Sequence, residues 1–292
     1  MSTAISTLAG RLRTPLGQAL ALAALLAFFW WAAALALRGS GIRLLVWDDQ
    51  VSTFTAANLI APYSVPGFVN PPWTMVFLAP FSLLPLEWAV LAQMLIYFLT
   101  LTVIIHKFGR GRVRLAAIVA LTSPLALDTA LELNIDWLVC LGLLVPPSYS
   151  APLLLVKPQN ALGYLLSFSW RDLIRWGIVA LITALVSFLV WGNWIQGWID
   201  NTQSKLVVWA INVAPVALIG IPGAILLGLA LAVVAVRRHD PVWGILAGVC
   251  FVPYLAGYSA LLPFTLVTAR FPRAALVISG AIWCAVLLLF RP

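Results

Sequence analysis

The sequence predicts an all-α, polytopic membrane protein, on three observations. Apolar residues make up 63% of the 292 and charged residues only 9%, with a mean hydropathy of +1.04, far from the balance of a water-soluble domain. The apolar runs are long, rich in Leu and Ala, and lack the period-two alternation of a membrane barrel. In a bilayer core without water, such runs must close their backbone hydrogen bonds internally, as helices. Proline, glycine and basic clusters divide the chain into about eight to eleven membrane helices, some short and broken. They form a single membrane domain over residues 1–292.

Leu16 to Leu37 is the first span. It follows Arg11 and Arg13 as a signal peptide would, but exceeds the roughly 7–15 apolar residues of such a leader. It is therefore expected to be retained, with cleavage near Ala34-Leu35-Ala36 as the alternative. Lys and Arg concentrate on the cytoplasmic side of short loops. That rule puts the N-terminus in the cytoplasm, together with His106 to Arg114, Arg171 with Arg175, and Arg237 with Arg238. Residues 38–85 are then an outer-face loop, polar-aromatic and proline-rich, holding a re-entrant or juxtamembrane helix, and Leu86 to Ile105 returns inward.

A third span beginning near Leu115 places Asp128, Glu132 and Asp136 outside. Residues 137–169 contain Pro146-Pro147, Pro152 and LVKPQN around Lys157, which cut the apolar stretch into pieces shorter than the about 20 residues of an ordinary span. Broken helices at membrane depth are tolerated where they are buried in protein or line a cavity, so this region is a candidate site. Trp191, Trp194 and Trp198 follow helical spacing and suit an interfacial segment, with Asp200 outside. Residues 206–236 are interrupted at Pro215 and Pro222, and 242–269 form either one tilted span or a hairpin turning near Pro253 to Tyr258.

The net charge of +8 lies in short clusters between apolar runs, as topology requires, and not in the broad patch that nucleic acid would demand. The bilayer is the expected partner. Cys140, Cys250 and Cys284 each sit inside an apolar run without metal-ligand spacing, as expected of buried inert thiols. His106 and His239 fall in basic cytoplasmic loops, and there is no Gly-rich phosphate loop, zinc spacing or nucleophilic triad.

The groups that could carry chemistry are few. Asp48 and Asp49 follow the first span, where a carboxylate enclosed by the loop could act as a general base or hold a divalent cation through oxygen ligands. Lys157, in an apolar run, must snorkel, pair or bind an anion. Arg38 and Arg43 lie close to the first span, where interfacial anchoring is expected. Asp128, Glu132 and Asp136 recur every four residues and would share one face of a helix. Like charges stacked so repel, so a cation, a basic partner or full solvation is required. Asp128 is expected to be solvated, and Glu132 or Asp136 is a candidate to meet Asp48 and Asp49 at a shared site. Asn134, Gln159 and Asn160 either bind a polar ligand or, as polar residues at helix ends commonly do, cap or hydrogen-bond across helices.

A first span, an acidic residue just beyond it, NPPW at Asn70 to Trp73 and the APFSLLP that follows resemble the polyprenol-phosphate-sugar-dependent glycosyltransferases of the GT-C superfamily, nearest its bacterial mannosyltransferase-like subgroup. LLLVKPQNAL around Lys157 is similar to that subgroup's later Lys-Pro segment. The resemblance covers about residues 20–200; the chain is shorter than typical members, has Asn70 where a tyrosine is usual, and matches only vaguely in its final third.

The resemblance implies a GT-C-like fold and an inverting transfer of a sugar, mannose in that subgroup, from a polyprenyl-phosphate donor to an acceptor hydroxyl at the outer face of a bacterial inner or plasma membrane. Asp48 or Asp49 would take the hydroxyl proton, a role that contributes about 10²–10⁴-fold. Lys157, with Arg38 and Arg43, would meet the leaving phosphate. Asn70, Trp73, Glu132, Asn134, Asp136, Gln159 and Asn160 would face the substrates. Two rival expectations stand beside it. The short chain and Asn70 suit a non-catalytic subunit of a larger membrane complex. The broken helices around 146–158 suit a lipid or solute transporter, although no inverted repeat is visible.

Overall fold

The structure, a computed structural model, describes residues 14–39, 59–65, 68–204 and 212–289. Asp48, Asp49 and Arg43 lie outside the described residues, as does the side chain of Arg38. The described chain is helical, with one isolated bridge between Asn212 and Ala256. Its helices are α1 (Pro15–Gly39), α2 (Thr74–Leu78), α3 (Leu86–Phe108), α4 (Val113–Leu121), α5 (Pro124–Glu132), α6 (Asp136–Leu144), α7 (Ala151–Leu154), α8 (Trp170–Trp191), α9 (Trp194–Ser204), α10 (Pro215–Arg238), α11 (Pro241–Cys250), α12 (Leu261–Arg270) and α13 (Pro272–Leu289).

Four of these, α1, α3, α8 and α10, are long and apolar enough to cross a membrane, and a fifth span results if the bent pair α4–α5 is counted as one. The chain is thus an all-α integral membrane protein. The other apolar helices are shorter, among them Pro241–Cys250 and Pro272–Leu288. α3 is the hub: 67% of its apolar window is buried, against 6% for α8. α1, α4, α6 and α12 pack against α3, whereas Leu181, Leu185 and Leu189 of α8 face outward, as lipid-facing residues do. α3 opens with Glu87 and closes with His106 and Lys107, charges that complement its dipole.

The breaks have local causes. Ser123 caps α5 by accepting from the Ala126 amide at 3.3 Å, and Pro124 takes the first helical position, so α4 and α5 meet at 57°. α10 starts at Pro215 and is kinked at Gly220 (φ 75°), two residues before Pro222. The stretch 242–269 is a hairpin: α11 and α12 are separate ten-residue helices, and Arg270 at the end of α12 returns to Asp240 at the start of α11, 2.8 Å away.

Two expectations are corrected. Asp128, Glu132 and Asp136 do not share one helix, because α5 ends at Glu132 and α6 begins at Asp136, with buried Leu133 at a left-handed φ of 24° between them. Such a backbone costs roughly 1–3 kcal/mol and persists only where packing enforces it. Trp191, Trp194 and Trp198 likewise do not belong to one helix, since Gly192 (φ 63°) caps α8 and α9 starts afresh.

Several of the basic segments meet at one end. The Arg110 amide donates to Ala269 O at 3.3 Å, Arg270 pairs with Asp240 beside Arg237 and Arg238, and Arg114 donates to Gln18 near the start of α1 at 2.8 Å. Far from these, α9 braces the first loop. Trp191 donates to Leu59 O at 2.7 Å, Trp198 to Val69 O at 2.8 Å, and the Asn201 amide to the carbonyls of Tyr63, Val65 and Phe68 at 3.2–3.3 Å.

Candidate functional site

The Lys-Pro segment and the broken helices build a polar centre from three remote stretches of chain. Asp136 is fully buried at the first turn of α6, where helix N-terminal amides favour an anion. Lys157 immediately precedes the 3₁₀ turn Pro158–Asn160. Its Nζ lies 3.0 Å from Asp136 Oδ1 and donates to Asp136 Oδ2 at 3.1 Å, Asn134 Oδ1 at 3.3 Å and Ser259 Oγ at 2.8 Å. Ser259 Oγ in turn donates to Asp136 Oδ2 at 3.1 Å, and the Asn160 amide donates to Asp136 Oδ1. Tyr258 presents its ring 4.8 Å from the ammonium, within cation–π range.

The geometry follows from cost. An isolated charge in a low-dielectric interior is expensive, so burial is tolerated only with a counter-charge and a full set of hydrogen bonds. The ammonium has an acceptor for each of its protons among Asp136, Asn134 and Ser259. Of the three outcomes open to Lys157 on sequence grounds, the structure realises pairing. The Asn160 Oδ1 atom is different: it is buried and has no hydrogen-bond partner among the described residues.

Packing fixes the segment that carries Lys157. The 3₁₀ stretch Leu162–Ser167 lies against α11, where a Cβ on Gly163 would sit 2.8 Å from Gly248 N and a Cβ on Gly244 would sit 2.5 Å from Gly163 O. Three glycines thus bring two backbones into contact, as small residues four apart do in membrane helices. On the other side, Trp73 of the NPPW element donates to Pro152 O at 2.8 Å and meets Trp194 edge to face at 6.0 Å. Tyr63 donates to Asn70 O at 2.9 Å, and burial pushes its phenol well above the usual value, so it stays a neutral donor.

Asn134, Asp136, Lys157 and Asn160 therefore come together. Glu132 and Asp128 are half-buried nearby, on α5: Thr129 of that helix donates to Tyr258 O at 3.2 Å, and a Cβ on Gly257 would lie 2.5 Å from Asp128 Oδ2. Asp128 is thus packed against the hairpin instead of freely solvated. Gln159 is exposed and makes no bond to the centre. Asn70 and Trp73 belong to the braced first loop, and Trp73 reaches the stretch before Lys157 through Pro152. Ser259 and Tyr258 were not singled out on sequence grounds; the one signal was the turn in the hairpin that holds them. Among the described residues no three His, Cys, Asp or Glu side chains converge on a metal site.

The fold and this centre define an all-α integral membrane protein with a buried, charge-compensated core of polar groups. No protein-family model, curated protein or solved structure matches the chain.

Proposed function

We propose that the chain is a GT-C-like membrane glycosyltransferase that moves a sugar, mannose in the subgroup it resembles, from a polyprenyl-phosphate donor to an acceptor hydroxyl at the outer membrane face. The observation that carries the reading is the bond from Trp73 to Pro152. It joins NPPW to the stretch that leads into LVKPQN, so the two elements on which the resemblance rests are neighbours in space. The unpartnered Asn160 Oδ1 beside Lys157 supplies an acceptor for a sugar hydroxyl. In this reading Asp48 or Asp49, alone or with a divalent cation, activates the acceptor, and Lys157, Arg38 and Arg43 meet the departing phosphate.

The test is transfer by the purified protein in vesicles containing radiolabelled polyprenyl-phosphate mannose. The expected result is consumption of the donor by the natural sequence and loss of transfer in Asp48→Asn or Asp49→Asn, with unchanged circular dichroism. Unchanged transfer in both single variants and the double variant would remove the assignment.

One observation favours a second reading, a non-catalytic subunit of a larger membrane complex. The ammonium of Lys157 is already engaged by Asp136, Asn134 and Ser259, leaving no donor for a phosphate unless that pairing opens. This reading predicts stable co-purification with other membrane subunits after gentle extraction and no donor consumption by the isolated chain.

A further inference from the structure

At the arginine-rich end, outside the polar centre, the loop between α3 and α4 meets the junction of α12 and α13. The two are joined by the Arg110 amide donating to Ala269 O at 3.3 Å, and Gly109 makes the approach feasible, since a Cβ there would stand 3.2 Å from Ala269 O. Between them is a cavity of about 380 Å³ lined by Arg110, Arg112, Arg270 and Arg273 together with Phe271 and Ala274.

Four arginines line one concavity, and their charge calls for a negative partner. Among the described residues Arg270 alone of the four has a carboxylate, Asp240, which accepts from Nη2 with both oxygens at 2.8 and 2.9 Å; the Arg270 Nε is buried and has no hydrogen-bond partner among those residues. Arg110, Arg112 and Arg273 have no ion pair among the described residues. The cavity also abuts the start of α13, an eighteen-residue helix. There the first-turn amides of Arg273 and Ala274 have no acceptor within their own helix, and the dipole favours an anion. Scattered loop arginines would satisfy the positive-inside rule without any of this. What topology does not require is their gathering around a cavity at a helix N-terminus.

We propose that this cavity binds a phosphate group, held by the guanidiniums of Arg110, Arg112 and Arg273 and by the first turn of α13. Arg presents paired N–H donors that match phosphate oxygens. An anionic phospholipid headgroup is the source the surroundings fit best. Phe271 stands 47% exposed at the rim, 6.0 Å from Trp243, as aromatic side chains do at the interface of a bilayer.

The test is native mass spectrometry of the full chain in detergent, titrated separately with phosphatidylglycerol, phosphatidylcholine and inorganic phosphate. The natural sequence is expected to retain phosphatidylglycerol over phosphatidylcholine, and the triple variant R110Q/R112Q/R273Q to lose that retention at least tenfold. R237Q/R238Q, which removes two exposed arginines outside the cavity, should keep it. Arginine-dependent retention of inorganic phosphate, without preference for phosphatidylglycerol, would keep the phosphate site and assign it to a free anion. Equal retention by the triple variant with its thermal unfolding unchanged, or an equal loss in R237Q/R238Q, would overturn the proposal. R110K/R112K/R273K keeps the charge in case the glutamine variant fails to fold. It should bind more weakly than the natural sequence, because a lysine lacks the fork.

Discussion

Lys157 and Arg273 carry the same charge under opposite conditions. Lys157 is enclosed, with a side-chain exposure of 11%, and meets Asp136, at 1%; Arg273 is exposed and has no ion pair among the described residues. The difference follows from solvation. Water stabilises an exposed guanidinium at no structural cost, whereas a buried ammonium must recruit its counter-charge and acceptors from the protein. The centre therefore draws on residues separated by more than a hundred positions, Asp136 and Ser259. The arginine-rich end keeps its charge available for a ligand.

Variants that remove charge at each place break or sharpen this contrast. The largest effect is expected at the centre. Lys157→Met leaves Asp136 buried without a cation and should destabilise the protein by about 3–5 kcal/mol, read as a lowered midpoint of thermal unfolding in detergent. Gly163→Ala comes next, since its Cβ would press on Gly248 N at 2.8 Å. A loss of about 1–3 kcal/mol is expected from such overpacking, and a smaller loss would show that the centre does not depend on this docking.

Arg270→Gln bridges the two regimes. Its pair with Asp240 is only 15% and 14% exposed, and losing the charged hydrogen bonds should cost about 2 kcal/mol. The smallest effect is expected for Arg112→Gln or Arg273→Gln, each within about 0.5 kcal/mol of the natural sequence in the absence of ligand. A larger loss in either would mean that the arginines brace the fold and do not await a partner.

The sequence carried much of this architecture in composition and periodicity. The apolar runs marked four or five long helices, the basic clusters around Arg110 and Arg238 marked segments that come to Arg270 at one end, and Pro146-Pro147, Pro152 and Lys157 marked the broken region where the polar centre lies. The pairing within the centre was not legible. Nothing in local spacing says that Lys157 faces Asp136, because the ion pair closes only when α6 turns back after Leu133 and the α11–α12 hairpin delivers Ser259. The four-residue recurrence of Asp128, Glu132 and Asp136 misled for a related reason. A helical period was read across a point where packing enforces a left-handed residue. Ser259 and Tyr258 carried no motif of their own; they matter because of what the hairpin brings beside them. Asp48, Asp49 and Arg43, on which the catalytic reading leans, lie outside the described residues.

The most direct test of the compensated centre is a double-mutant cycle on Asp136 and Lys157, followed by reversible unfolding of the purified protein. With each charge compensating the other, the pair Asp136→Asn with Lys157→Met should recover at least half of the stability lost by Lys157→Met alone. Losses that simply add would contradict the account, because they would mean that the two side chains do not share the buried site that their 3.0 Å separation defines.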